Sequence, residues 1–253
     1  METALFDVQS GFGGANRGET QTVTVETCLA YLDRLSIQGA LVRTEPDGAE
    51  VDVILANEAL FGACAGRHPR LVPCPIALPA TGGDVPSEVE QIDGFIRQGA
   101  GAVLIRPGQD DWPLVPFVCD RLLAAVAARG LPLYCLERYV SLQQVAELAG
   151  RYPQLPLIVA NVAYRSQRAL LPLLEGYPNV YLALGNNFTV HRGIEQMVER
   201  LGPRQLLFGT GFPAAEPMMA VTQLMFAEIA PHAKTQIGSG NFARLQEGIC
   251  RGD

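Results

Sequence analysis

The chain is short of the residues on which amine and imidazole chemistry depends. Of its 19 lysines and arginines only Lys234 is a lysine, and it carries three histidines and one tryptophan. A Schiff-base mechanism needs a lysine at the reacting carbon, and a lone lysine this late in the chain excludes one. There is no basic stripe: the net charge is −7 and the pI about 5.1. Such a surface has nothing to replace phosphate counterions, which argues against a nucleic-acid partner. No apolar run reaches the roughly 18 residues of a spanning helix, so no membrane association is expected. Met1 to Asp7 lacks a basic stretch followed by an apolar one, so a cytoplasmic location is expected. The six cysteines, at 28, 64, 74, 119, 135 and 250, form no C-x-x-C pair and no zinc-like spacing. Cys74 and Cys135 stand in apolar runs, "LVPCPIAL" and "LPLYCLE", with no histidine beside them, and read as reduced, buried hydrophobes.

Short apolar runs recur along the chain, each followed by a segment of helical periodicity. They are Ala4 to Val8, Gly39 to Arg43, Leu71 to Leu78, Gly101 to Arg106, Leu131 to Glu137, Leu157 to Val162, Val180 to Leu184 and Leu206 to Gly209. Between them lie stretches such as "TCLAYLDRLSI", "SEVEQIDGFIRQG", "PLVPFVCDRLLAAVAARG" and "SLQQVAELAGRY", opened by serine or proline and often closed by glycine. Strands alternating with helices imply a parallel sheet with right-handed crossovers, and eight such units close into a (β/α)8 TIM barrel. Nothing in the composition divides residues 1–253, so one domain is expected. An open doubly wound sheet is the runner-up, weakened because "GFGGAN" lacks the spacing of a dinucleotide fingerprint.

In such a barrel the loops after the strands build the functional face. The strand ends carry Gln9 and Ser10, Arg43, Pro79, Arg106, Glu137 and Arg138, Asn161, Asn186 and Asn187, and Thr210 with Gly211.

Several stretches, taken in order, resemble the amidohydrolase-related branch of the amidohydrolase superfamily. They are "LFDVQSGFG", "GLPLYCLE", "YPQLPLIVANV", "YPNVYLALGNN", "LGPRQLLFGTGFP" and "IGSGNFARL". The resemblance implies an amidohydrolase-like barrel related to metal-dependent hydrolases and decarboxylases. It also implies a metal held by a His-x-His pair after the first strand, single histidines after the fifth and sixth, and an aspartate after the eighth. Here those positions read Gln9 and Gly11, Leu136 or the adjacent Glu137, Asn161, and Gly211. Neutral amides and glycines are poor donors for a divalent cation, and one carboxylate builds no tight site, so no metal and no other cofactor is expected. Homodimers occur among such relatives, which makes a homodimer an expectation by resemblance.

What remains is arginine and amide. Arg17, Arg43, Arg106, Arg138, Arg165 and Arg192 follow strands, and a guanidinium fork suits carboxylate or phosphate. Arg43 and Arg106 directly end apolar strands and are the strongest candidates for binding a small anionic ligand. The ligand-binding set is Gln9, Ser10, Arg43, Arg106, Asn161, Asn186 and His191, with Glu137 as catalytic acid or base. Glu137 could equally neutralise Arg106 or Arg138. His68 and His232 read as surface residues, Trp112 as a lid, contact or packing residue, and "PMMAVTQLMF" as core. The terminal "RGD" is read as a chance match. The favoured reading is a metal-free pseudoenzyme that binds a small anion; the alternative is an active hydrolase or decarboxylase with an unconventional or metal-independent site.

Overall fold

The computed structural model describes residues 3–15, 22–44, 52–185 and 190–251. In chain order its elements are β1 (Leu5–Ala15), β2 (Thr22–Val23), α1 (Val25–Arg34), β3 (Ile37–Thr44), α2 (Val53–Cys64), β4 (Leu71–Pro73), α3 (Glu88–Arg97), β5 (Val103–Leu104), α4 (Pro116–Ala128) and β6 (Leu133–Leu136). They continue with α5 (Leu142–Arg151), β7 (Leu157–Ala160), α6 (Gln167–Gly176), β8 (Val180–Leu184), α7 (Gly193–Leu201), β9 (Leu206–Phe208), α8 (Pro217–Phe226), α9 (Pro231–Thr235) and α10 (Asn241–Glu247).

The helix starts follow from local chemistry. Ser87 and Ser141 accept from the backbone N–H groups of Glu90 and Gln144, whose side chains accept in return from the cap N–H groups. Asp52 accepts from Ile54 and Leu55, while Pro116 and Pro217 fill first-turn positions that need no donor.

Two parallel sheets form the barrel wall, β2-β1-β3-β4 and β5-β6-β7-β8-β9, with β2 as an antiparallel addition to β1. Each of the eight expected strands is present, and β2 is a ninth. Between β4 and β5 the sheets join at the Ile76–Leu104 bridge, where Ala77 N–H donates to Leu104 O at 2.9 Å. The other seam closes where Gly211 N–H donates to Gln9 O at 2.9 Å. Parallel strands with intervening helices, closed at both seams, make an α/β TIM barrel.

Strand alternation divides the core into two layers. Val8, Leu41, Val72, Leu104, Tyr134, Ile158, Tyr181 and Leu207 point into the barrel, whose lower end is plugged by Phe242. The opposite strand faces pack against the helices through residues such as Leu32, Ile92, Leu122 and Leu173. Among the described residues no helix is long and apolar enough to cross a membrane. All six cysteines are free, and burial pushes the thiols of Cys28, Cys64, Cys74 and Cys135 up to about 12, which leaves them inert.

One expectation fails in the helical layer. Pro217–Phe226 is a helix but not a core one: Pro217, Ala220 and Leu224 face inward, while Met218 and Met219 are half-exposed and Phe226 is 81% exposed. Only one face of α8 meets the barrel, and the methionine pair and Phe226 fall outside it. Trp112 packs into the core, 9% exposed.

The β1–β9 seam is held by a wholly buried carboxylate. Asp7 accepts from Gln9 N–H and Thr210 N–H, both at 2.9 Å, from Tyr31 O–H at 2.7 Å and from the Thr210 hydroxyl. Burial, the largest influence, raises its pKa above the ordinary carboxylate value despite these four donors. A carboxyl whose folded-state pKa lies above its unfolded value binds its proton more tightly in the folded chain. Stability from this group is therefore greatest below the unfolded pKa and falls as pH rises through the folded one. Urea unfolding of wild type and Asp7→Asn at a series of pH values checks this: the wild type should lose stability relative to the variant as pH rises from about 4. A difference that stays flat would mean that Asp7 does not titrate in this way.

Candidate functional site at the barrel mouth

The mouth is built by two departures from strand alternation. In β1 the pairing with β3 slips between Asp7 and Ser10, a bulge that places one extra residue on β1. Val8 already faces the barrel interior, and the bulge turns Gln9 inward as well. In β7, Ile158 and Ala160 face inward, and Asn161 is brought toward the same side by a left-handed backbone at φ 61°. The result is a side-chain bond across the barrel, with Gln9 Nε2 donating to Asn161 Oδ1.

The Gln9 amide lies against glycines at the ends of β8 and β9. A Cβ on Gly185 would stand 2.5 Å from Gln9 Oε1, and one on Gly209 would stand 2.8 Å from Gln9 Cβ. Gly211, at φ 78°, continues this surface. Any side chain at 185 or 209 would displace Gln9.

On the other side of the mouth, β3 directs Leu41 and then Arg43 inward. Arg43 is 5% exposed, with Nη1 3.4 Å from Ser10 O and 3.5 Å from Tyr134 Oη, and its guanidinium lies 5.5 Å from the Tyr134 ring centre. Tyr134, read in sequence only as part of an apolar run, thus forms the floor on which this arginine rests.

The remaining expected residues divide. Ser10 does not face the mouth: the bulge turns it toward α1, where its hydroxyl is 2.8 Å from Tyr31 Oη and 3.8 Å from Cys28 Sγ. Arg106 is buried but committed, its Nε and Nη2 bonding both Asp110 oxygens at 3.1 and 2.7 Å, so it offers no unspent charge to a ligand. The Arg-x-x-x-Asp spacing in "RPGQD" was the signal that could have predicted this pair. Glu137 neutralises neither Arg106 nor Arg138. It accepts from Ser166 O–H at 2.8 Å and from Ala163 N–H at 3.3 Å, tying the turn after β7 to the rim. Arg138 lies over the Tyr139 ring, 4.7 Å from its centre. His191 is exposed, and its backbone carbonyl accepts from Gln196 Nε2 at 3.3 Å. Arg192 pairs with Glu228. Arg17, Asn186 and Asn187 lie outside the described residues.

Divalent-cation chemistry does not fit the donors at the positions where the resemblance places ligands. Gln9 and Asn161 are neutral amides bonded to each other, Gly11 and Gly211 have no side chain, and both Glu137 oxygens are engaged on the rim. Among the described residues no three His, Cys, Asp or Glu side chains converge on one point.

A (β/α)8 barrel with its polar groups gathered at the strand ends defines the class of this molecule. More narrowly, the chain belongs to the amidohydrolase family, whose sequence model matches residues 14–245. No curated protein matches it. Similar solved structures include a 5-carboxyvanillate decarboxylase from Novosphingobium aromaticivorans, complexed with manganese and 4-hydroxy-3-methoxy-5-nitrobenzoic acid. It is 12% identical, covers 97% of this chain and 96% of its own, and has a TM-score of 0.74. A 2,6-dihydroxybenzoate decarboxylase from Rhizobium is 16% identical over 97% of this chain and 99% of its own, at a TM-score of 0.70. A Pseudomonas putida protein assigned as a 2-pyrone-4,6-dicarboxylic acid hydrolase is 14% identical over 98% and 99%, at 0.71. At these identities they establish the fold alone.

Because the mouth is packed around the Gln9 amide, Gly185→Ala should force that amide aside. The expected loss is about 1–3 kcal/mol, the usual range for overpacking, measured by urea unfolding. Gly176→Ala, with open space around its added methyl, is the control that should change little.

Proposed function

We propose that this chain is an amidohydrolase-related decarboxylase or hydrolase that acts on a small carboxylate at the barrel mouth through a site without the usual metal-ligand set. The observation that carries this reading is Arg43, a guanidinium buried on the inward face of β3 beside Tyr134. A fork of N–H donors in a water-poor site suits a carboxylate, and the charge acts more strongly there than on the surface. Membership of the family and the carboxylate-directed names of the similar structures support the same substrate class.

In this scheme Arg43 holds the carboxylate, and Gln9 with Asn161 orients the body of the molecule. Glu137, on the rim with Ser166, moves the proton. In a decarboxylation Glu137 starts as the protonated acid: the bond to the carboxyl carbon breaks, CO2 leaves, the carbon left with the electron pair takes the Glu137 proton, and a proton from solvent restores the acid. In a hydrolysis Glu137 instead accepts a proton from the water whose oxygen adds to an ester carbonyl carbon, and returns it to the alcohol oxygen as the carbon–oxygen bond to that group breaks.

A second reading is a barrel that binds such an anion without turnover. It is favoured by one observation, that Gln9 Nε2 and Asn161 Oδ1 are engaged with each other and so are not aimed at a reacting group.

Three measurements on the untagged protein separate these readings. Elemental analysis should find divalent metal well below one equivalent; a stoichiometric metal would overturn the metal-independent site. A thermal-shift panel of aromatic carboxylates should raise the melting temperature of the wild type and leave Arg43→Ala unmoved. For a carboxylate that binds, CO2 release or a hydrolysis product that disappears in Glu137→Gln supports the enzyme, whereas binding without either product supports the second reading.

A further inference from the structure

The lower end of the barrel, opposite the mouth, holds a cavity of about 1030 Å3 that the proposed function does not use. Its walls come from the starts of strands and from α10, so it is separated from the mouth by the filled barrel interior. The apolar part is a pair of rings: Phe6, at the start of β1, stacks on Phe242 of α10 with centres 4.9 Å apart and planes at 21°.

The polar part is dominated by two arginines. Arg97 ends α3 and has no hydrogen bond or salt bridge among the described residues. Its near neighbour Asp93 is gripped through both oxygens by Arg129, at 2.6 and 3.0 Å. Among the described residues Arg251 bonds a neutral group, Gln246 Oε1, at 3.2 Å. That amide is itself fixed, because Gln246 Nε2 donates to Gly101 O at 2.7 Å. Among the described residues Glu247 is the one carboxylate lining the cavity.

About half of the described arginines are paired with carboxylates, and these two are not. Elsewhere in this acidic chain Arg34, Arg67, Arg70, Arg106, Arg121, Arg129, Arg151, Arg192 and Arg200 are each paired with Asp or Glu. At this cavity, among the described residues, two guanidinium groups stand beside an aromatic wall, Arg97 acting at a distance on the Asp93 carboxylate that Arg129 holds.

We propose that this lower cavity is a second small-molecule site, for a planar aromatic anion. Its ring lies against Phe6 and Phe242, and its carboxylate, sulfonate or phosphate sits between Arg97 and Arg251. The volume matches small-molecule sites, which combine an apolar lining with a few placed polar groups. Aromatic stacking and two guanidinium donors supply complementary parts of the recognition.

Isothermal titration with 2-naphthalenesulfonate tests this directly. The wild type should bind one equivalent saturably. Arg97→Ala/Arg251→Ala, both exposed positions, should bind about tenfold or more weakly, as the loss of two charge-assisted contacts predicts, with an unchanged thermal melt. The neutral 2-naphthalenemethanol should bind the wild type as weakly as the double variant binds the sulfonate. Arg43→Ala should bind the sulfonate as the wild type does. No saturable binding to the wild type, equal affinity in the double variant, or loss of binding in Arg43→Ala would each overturn the proposal, the last by placing the anion at the mouth.

Discussion

The Asp7 carboxylate is the interaction on which the rest of the barrel depends. A parallel barrel must join its first strand to its last, and here the described strands leave that seam without a paired ladder between β1 and β9. Asp7 reaches across it, taking two backbone N–H groups and two hydroxyls into one wholly buried group. A buried carboxyl is costly unless its oxygens are satisfied, and removing it would strand several donors at about 1–3 kcal/mol each. The same bonds hold the backbone of Gln9 and Thr210, and so determine where the mouth begins.

That control extends to the chemistry. The bulge after Asp7 and the left-handed Asn161 bring inward two residues that alternation alone would turn away. A non-glycine residue held at positive φ persists only where its surroundings fix it, and here the side chain completes the bond to Gln9. Glycines at 185, 209 and 211 then fit around the amide. The position of this amide is therefore fixed by close packing as well as by its bond to Asn161.

Much of the fold was legible in sequence because it rests on local signals. Eight apolar runs at regular intervals gave eight strands, and Ser87, Ser141 and Pro116 marked helix starts by chemistry that acts within one turn. The site was legible only as a set of strand-end positions. Asn161 and Arg43 were found that way, since they stand at strand ends, and Gln9 was found because the apolar run breaks off at Val8, although β1 itself continues to Ala15. Ser10 was misplaced because a bulge, which reverses facing, leaves no trace in alternation. Arg106 was misread because a strand-end arginine and a neutralised one look the same until the loop brings Asp110 back. Tyr134 and Asp7 were missed because a tyrosine in an apolar run looks like packing, and an aspartate before the strand end looks like solvent-facing polarity. The α8 methionines were misassigned because a helix apolar all round does not reveal which face is covered.

The two ends of the barrel share β1, which carries Phe6 at the lower cavity, Asp7 at the seam and Gln9 at the mouth. Proximity along a strand does not itself couple two sites; coupling needs an element with two arrangements that each ligand biases differently. β1 is a poor candidate for such an element. It is paired with β3 along most of its length, pinned to β9 through Asp7, and bonded across the barrel through Gln9. Between the mouth and the lower cavity the interior is filled by Leu104, Tyr134, Ile158 and Leu207, and close-packed side chains leave little room for a second packing. The constraint that builds the mouth therefore also isolates it, and a ligand at the lower end meets a site that is chemically separate from the one above.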